Sequence, residues 1–173
     1  MKLRIDYPLA PWILAGILLF TTLPLLFGQR SGANADRVVV YKRERKLVLL
    51  SQGKEVRSYK VALGSEPVGP KARQGDHRTP EGVYTLDSRN SNSRFYKAFH
   101  ISYPNSKDIA AAEKLGVSAG GDIMLHGLPK EYAWVGREHT LRDWTDGCIA
   151  VTNAEMDEIW KLVRVGTPIE IRP

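Results

Sequence analysis

The sequence predicts a mainly β fold, a sandwich or barrel of short strands with two short helices. Short runs of apolar and β-branched residues recur along most of the chain and are separated by glycine, proline and polar turn residues. Two other segments show helical spacing and begin with capping residues. Strands and helices do not alternate regularly, so a parallel sheet built from crossover units is not indicated.

The strand predictions follow these runs in chain order. Gln52-Gly53-Lys54 is a turn between the second and third runs, so the N-terminal half is expected to form hairpins. The predicted strands are Val38–Tyr41, Lys46–Ser51, Glu55–Leu63, Gly82–Leu86, Ala98–Ser102, Asp122–Leu125 and Pro168–Ile171.

The two helices are predicted from their ends. Ser106 can cap the first helix, which runs to Leu115, and Gly116 can adopt the left-handed conformation that ends a helix. The second helix begins at the capping box Thr152-Asn153-Ala154-Glu155. Its apolar stripe, which we expect to lie in the core, is Met156, Ile159, Trp160 and Val163.

The N-terminal part divides into three segments. Residues 1–8 are a stub that carries Lys2 and Arg4, residues 9–27 are apolar and uncharged, and residues 28–36 are a linker. An apolar run of about 19 residues is near the length that spans a membrane and exceeds most signal-peptide cores. We therefore expect a transmembrane helix acting as a signal anchor. The small-x-small string Ala33-Asn34-Ala35 keeps a cleaved signal peptide open as the alternative.

Residues 37–173 are expected to form one domain, long enough for a core without disulfides. The basic stub stays in the cytoplasm by the positive-inside bias, which places this domain outside, in the cell envelope or periplasm. The net charge is +6, from 25 Lys and Arg against 19 Asp and Glu. Basic and acidic residues alternate, as in the string from Lys42 to Lys46, so no nucleic-acid partner is expected.

Cys148 is the only cysteine and lies in the string Thr145-Asp146-Gly147-Cys148-Ile149. His126-Gly127 stands upstream, at the end of an apolar run. A lone thiol has no partner for an internal disulfide and is free for chemistry; the alternative is a buried, inert cysteine. The surrounding glycines and polar residues favour a catalytic pair in which His126 activates Cys148.

A thiol with a pKa near 8.5 is only about 3% thiolate at pH 7. His126 could remove its proton as a general base, or could form the cationic half of an ion pair. A backbone carbonyl near Gly127 could hold the other ring nitrogen. The N–H groups of Gly147 and Cys148 could form an oxyanion hole, although Gly147 could equally just make a turn.

The spacer of residues 128–144 is rich in aromatic and charged side chains, which suits a mobile flap over a peptide ligand; ordinary packing is the alternative. Arg142 could pair with a substrate carboxylate, or with Asp143 or Glu138 instead. His139 is a rival base.

His77 and His100 are expected to be surface or strand residues. Thr145 could make a hydrogen bond at the site, or could be satisfied by its own backbone. The expected substrate-binding residues are Thr145, Gly127, Asp146, Arg142 and Trp144.

These motifs resemble those of the L,D-transpeptidase catalytic domain family, also called the YkuD domain. The family signature of His-Gly, a spacer and Ser/Thr-x-Gly-Cys stands here as His126-Gly127 and Thr145-Asp146-Gly147-Cys148. A second family element, Thr-Pro-x-Gly before a strand, stands as Thr79-Pro80-Glu81-Gly82. The resemblance covers Arg37 to Pro173 and implies an L,D-transpeptidase-like β-sandwich or barrel.

The chain departs from the family pattern at three points. Asp146 occupies a position where many members have His, and Ala150 stands where Asn or Arg is common. Cys148 also follows His126 by 22 positions, a longer spacer than usual. In these respects the chain resembles a branch in which some members are thought to hydrolyse wall peptides.

The resemblance implies acyl transfer on peptidoglycan. Cys148 would attack the carbonyl before a D-amino acid in a stem peptide, form a thioester and release D-alanine. An amine would then take the acyl group, or water in a hydrolase. The implied partners are stem peptides and a wall-attached protein, carbapenems are the implied inhibitors, and no metal or organic cofactor is implied.

Two alternatives belong to other classes. A zinc hydrolase could use His126, His139, Asp146 and Cys148 as ligands, although their spacing matches no known site. A non-enzymatic wall-binding module would fit the anchor and the altered residues at positions 146 and 150.

Overall fold

The computed structural model describes residues 34–173, which fall in one compact unit, Ser31–Pro173. This part contains eight strands, two α-helices and a 3-10 segment. The strands are β1 Arg37–Tyr41, β2 Lys46–Ser51, β3 Lys54–Lys60, β4 Gly82–Ser93, β5 Tyr96–Ile101, β6 Met124–His126, β7 Ile149–Ala150 and β8 Pro168–Arg172. The helices are α1 Ser106–Lys114 and α2 Asn153–Leu162, and the 3-10 segment is Lys130–Leu141.

All eight strands belong to one curled sheet with the order β3-β2-β1-β8-β4-β5-β6-β7. The first part of β4 pairs with β8 and the rest pairs with β5, with register shifts that bend the strand. β1/β8 and β6/β7 are parallel pairs and the other neighbours are antiparallel. The mainly β fold and the N-terminal hairpins are therefore confirmed.

The predicted strand positions hold, but several ends differ. The third strand stops at Lys60, three residues before the predicted end. β4 continues to Ser93, well beyond Leu86. β6 begins at Met124, because Asp122 has a φ of 55° that no strand accommodates. β7 has only two residues, too short for a periodic signal.

The core lies between the curled sheet and the helices. Val40, Leu47 and Ile169, from adjacent strands, are fully buried, and α2 adds Met156 and Ile159. Each such side chain contributes about 1.5–3 kcal/mol on burial. The predicted helical stripe therefore faces the core, with Trp160 partly buried at its edge.

The helix ends show one error in the sequence interpretation. The N-cap of α1 is Asn105, not Ser106, because the Asn105 side chain accepts the N–H groups of Lys107 and Asp108. The capping box of α2 is confirmed: Thr152 accepts the N–H of Glu155, whose carboxylate accepts the N–H of Thr152.

The segment of residues 61–81 contains no regular strand or helix, and two buried lysines hold it. Lys42 Nζ donates to the carbonyls of Gly69 and Thr79 and to Glu81 Oε1, at 2.6–2.9 Å. Lys71 Nζ donates to Asp76 at 2.7 Å. Buried charges are tolerated only when they are paired in this way. This segment forms the wall behind the cysteine turn described below.

The predicted stub, anchor and most of the linker lie outside the described residues. Among residues 34–173, no helix has both the length and the apolar character needed to cross a bilayer.

Candidate active site

The parallel pairing of β6 and β7 brings the two sequence motifs together. Leu125 lies opposite Ile149 and His126 lies opposite Ala150. Cys148, immediately before β7, and His126, at the end of β6, consequently line the same cleft of about 690 Å³. The cleft also contains Thr145, Asp146 and Trp144 from the spacer and the cysteine turn.

His126 is buried, with only 1% of its surface exposed. Its Nδ1 lies 2.6 Å from the Gly127 carbonyl oxygen and must carry the proton that makes this hydrogen bond. In the neutral ring, Nε2 is then left as a free acceptor. Burial lowers the pKa of His126 to about 4, although the bond to Gly127 acts in the opposite direction. The imidazole is therefore neutral at pH 7.

The Cys148 thiol is partly buried, and its Sγ lies 3.6 Å from the carbonyl oxygen of Asp122. Burial raises the pKa of Cys148, and the carboxylates of Asp146 and Asp122 add to the rise. A hydrogen bond from the Met124 backbone opposes it. Because the cleft holds a neutral thiol and a neutral imidazole, the resting site favours the general-base alternative over a preformed ion pair.

Gly147 has a φ of 130°, a region that L residues rarely adopt. A Cβ added there would lie 2.7 Å from the Arg78 carbonyl oxygen, in the wall formed by residues 61–81. Its N–H donates to Thr145 Oγ1 at 3.2 Å, and this hydroxyl donates to the Cys148 carbonyl at 2.7 Å. The Thr145 hydroxyl thus makes both of these hydrogen bonds within the turn and stabilises its conformation.

Gly127 is also required by close packing. An added Cβ would lie 2.5 Å from Asn153 Oδ1, the oxygen that accepts the N–H of Leu128. This contact joins the His126 strand end to the start of α2. Gly127 therefore positions the histidine through its carbonyl and its lack of a side chain.

Asp146 has an exposed side chain, with 93% of its surface accessible, at the edge of the cleft. Its Oδ1 lies 2.9 Å from His77 Nδ1. His77 is half exposed, as expected of a surface residue, but the two residues are 69 positions apart in the chain, and the sequence did not predict their pairing.

Arg142 does not line the Cys148 cleft, whereas Trp144 does. Arg142 lines a neighbouring apolar cavity of about 610 Å³, and Trp144 lines both this cavity and the cleft. The alternative pairing of Arg142 with Asp143 is wrong, because Asp143 pairs with Arg45 at 2.8 Å and accepts the Leu63 N–H.

Sequence reasoning missed the contribution of the β4–β5 hairpin. Arg94, Asn90 and Asn92 line the cleft, and the Arg94 charge helps to lower the pKa of His126. The signal in the sequence was the run of polar residues from Ser88 to Arg94, which does not resemble a strand with a buried face.

The rival sites are not assembled. His139 does not line the Cys148 cleft but lies in the neighbouring cavity. Within residues 34–173, no three His, Cys, Asp or Glu side chains are grouped closely enough to hold a metal ion. The four ligands of the zinc alternative therefore do not converge.

Comparisons with known proteins agree with this fold. Residues 35–171 match the family model for the YkuD L,D-transpeptidase catalytic domain. The chain is 35% identical over 133 residues to YafK of Escherichia coli (strain K12), whose name gives L,D-transpeptidase as a provisional assignment. That match covers 73% of this chain and 46% of YafK, so the chain spans about half the length of this relative. The chain belongs to the YkuD family of L,D-transpeptidase catalytic domains.

Solved structures share the fold. The helical cell shape determining protein Pgp2 from Campylobacter jejuni superposes with a TM-score of 0.59 at 24% identity, covering 81% of this chain and 48% of Pgp2. The transpeptidase LdtMt1 in complex with imipenem gives a TM-score of 0.51 at 18% identity, covering 80% of this chain and 59% of the other.

Proposed function

We propose that this protein is a cysteine-dependent L,D-transpeptidase that transfers acyl groups between peptidoglycan stem peptides. The observation that carries the proposal is that Cys148 and His126, whose Nε2 is left as an acceptor, line one cleft. Membership of the YkuD family supports the reaction class. The domain would act in the cell envelope, held at the membrane by the predicted anchor of residues 9–27.

The first step is acylation of Cys148. His126 Nε2 takes the Sγ proton as the sulfur attacks the carbonyl carbon before the terminal D-alanine. The resulting tetrahedral intermediate collapses to a thioester when His126 returns the proton to the leaving amine. Because the resting thiol is neutral, proton removal and attack are coupled, and the reaction does not need a preformed thiolate.

The second step repeats the proton transfers in reverse. An acceptor amine gives its proton to His126 as it attacks the thioester, and Sγ recovers a proton on leaving. A second stem peptide or a wall-attached protein would supply this amine. Water in its place would give the hydrolase alternative, in which a wall-linked protein or D-amino acid is released.

The cysteine turn would stabilise the oxyanion. The Cys148 N–H is the principal donor in this proposal, since the Gly147 N–H is shared with the Thr145 hydroxyl. Loss of one such donor costs about 3 kcal/mol in the transition state. Gly147 would act mainly by letting the turn lie against Arg78.

Charged groups at the rim would orient the stem peptide. Arg94 is the cation of the cleft lining, and it would pair with a substrate carboxylate. Asp146 would attract an amine of the acceptor or donor peptide from its exposed position. Arg142 and Trp144 would contact peptide on the side of the neighbouring cavity.

Mass spectrometry of the purified protein with a tetrapeptide muropeptide tests the proposal. We expect a thioester adduct on Cys148, loss of D-alanine and a cross-linked dimer. Imipenem, the ligand named for LdtMt1, should form an adduct on the same residue. Cys148→Ala should form neither adduct, and His126→Gln should slow acylation by about 10²–10⁴-fold. His100→Gln is the matched control, because His100 lies on β5 and pairs with Asp87.

Product formed by Cys148→Ala would refute the mechanism. Released D-alanine without any cross-linked product would identify the hydrolase. Absence of any adduct on an accessible thiol would support the wall-binding module instead.

A further inference from the structure

Asp122 lies just before β6 and takes no part in the acyl transfer steps proposed for Cys148 and His126. It has a φ of 55°, in the left-handed region that glycine adopts freely and asparagine and aspartate adopt more readily than other residues. Its carbonyl oxygen lies 3.6 Å from Cys148 Sγ and accepts the thiol hydrogen bond. The residue also belongs to the lining of the cleft. An uncommon backbone conformation next to a reacting atom indicates a positioning role.

The backbone on each side of Asp122 is tied to other parts of the fold. The Ser118 carbonyl accepts the Gln74 N–H at 2.8 Å, which joins the segment to the wall formed by residues 61–81. The Ile123 carbonyl accepts the Ile101 N–H at 2.9 Å, which joins it to β5. The direction of the Asp122 carbonyl is therefore set by its surroundings and not by a free loop.

The hydrogen bond to Asp122 determines where the thiol proton points. A thiol carries one proton, so a proton that is donated to the Asp122 carbonyl is not donated to His126 Nε2. The S–H group has to rotate about the Cβ–Sγ bond of Cys148 before His126 can take the proton. This rotation breaks no covalent bond and transfers no charge.

The charges around the thiol also favour its protonated form. Burial is the largest cause that raises the pKa of Cys148, and the carboxylates of Asp146 and Asp122 raise it further. The Lys71 ammonium acts in the opposite direction. The other charged or titratable side chains in the cleft lining are Arg94 and His126. Asp122 is thus the residue that both accepts the thiol hydrogen bond and disfavours the thiolate.

We propose that Asp122 is a positioning residue, which keeps the Cys148 thiol protonated and its proton directed away from His126 until a substrate enters the cleft. The inference rests on the proposed function, because it concerns the nucleophile of that reaction. The thiolate is the form of cysteine that is alkylated and oxidised. Asp122 therefore protects the lone thiol between turnovers, and an entering substrate releases the proton to the base.

The first test compares full-length wild type with Asp122→Asn. Asparagine also adopts the left-handed conformation, so the variant keeps the carbonyl and loses only the charge. Cys148 is the only cysteine, so the rate of alkylation by iodoacetamide reports on it alone. We expect Asp122→Asn to react about threefold faster at pH 7, because a repulsive charge is removed. The ratio should fall to about one above the pKa of the thiol, whereas a change in access would give the same ratio at every pH.

The second test concerns the left-handed backbone. Glycine accepts a φ of 55° freely and valine does not. Imipenem acylation of Asp122→Gly should stay within about threefold of the wild-type rate, and that of Asp122→Val should be at least about tenfold slower, because the carbonyl next to Sγ moves. Gln52→Val is the matched control, since Gln52 has a φ of 51° but lies outside the cleft lining, and should leave the rate unchanged. Urea unfolding shows which variants are folded.

Two results would overturn the proposal. One is an Asp122→Asn alkylation rate that equals the wild-type rate at pH 7, or exceeds it by a factor that does not change with pH. The other is equal imipenem acylation of Asp122→Gly and folded Asp122→Val. The Asp122→Asn comparison decides the proposal even where Asp122→Val does not fold. Alkylation requires no acyl transfer, so failure of the proposed function, seen as a wild type that is not acylated, is distinguishable from failure of this inference.

Discussion

Lowering the pH from 7 to about 4.5 should destabilise the protein through His126. The buried ring has a pKa of about 4 in the folded protein, against 6.5 for the ordinary side chain. Between these values the unfolded chain binds the proton and the folded protein does not, so stability falls as the pH falls. The contribution is fully present above pH 6.5 and is lost as the pH drops through 4. The difference between the two pKa values corresponds to about 3 kcal/mol in the free energy of unfolding, and most of this is lost by pH 4.5.

Urea unfolding at the two pH values measures this effect. The wild type should lose about 2–3 kcal/mol from this residue, whereas His126→Gln should lack that share because glutamine does not titrate. Burial also lowers the pKa of His139, so His139→Gln is measured in parallel to separate its contribution of the same sign. If wild type and His126→Gln show the same pH dependence within about 0.5 kcal/mol, His126 is not a buried neutral imidazole and the general-base argument fails.

Three further predictions concern the turn, the wall and the thiol. Gly147→Ala should reduce the rate of imipenem acylation by at least about 10²-fold, because the added Cβ would lie 2.7 Å from a carbonyl oxygen. The control is Gly53→Ala, which is also at positive φ but in open space and should leave the rate unchanged. Asp76→Asn should cost about 3–5 kcal/mol in urea unfolding, because it leaves the buried Lys71 without a counter-charge. The more exposed Asp157→Asn should cost under about 1 kcal/mol, and equal losses would contradict this reasoning. The rate of Cys148 alkylation by iodoacetamide should rise with pH without a plateau between pH 6 and 8, because burial raises the pKa of the thiol. A plateau in this range would indicate a resting ion pair.

The Asp76 carboxyl has its own pH window, below that of His126. Burial alone would raise its pKa, but the Lys71 ammonium and three backbone N–H groups lower it to about 2 from 3.8. Its contribution is present above pH 3.8 and is lost as the pH falls through 2. The two transitions are therefore separable in one titration.

Features that depend on residues close together in the sequence could be predicted from it. The Thr152 capping box and the apolar stripe of α2 depend on residues within one or two helical turns, so the pattern predicted them correctly. The first helix shows the limit: Ser106 and Asn105 are both good caps, and only the backbone geometry selected Asn105. The motif residues of the cysteine turn were likewise identifiable, because their spacing is itself the signal.

Contacts between segments that lie far apart in the sequence could not be predicted in this way. The pairing of His77 with Asp146, the support of Gly147 by Arg78, and the placing of Arg142 outside the cleft each join segments that share no periodicity. The sequence determined a mainly β domain of the YkuD type and the candidates for its nucleophile and base, Cys148 and His126. Tertiary structure decided the protonation states of that pair, because burial sets the cost of charge, and a linear string does not specify burial atom by atom.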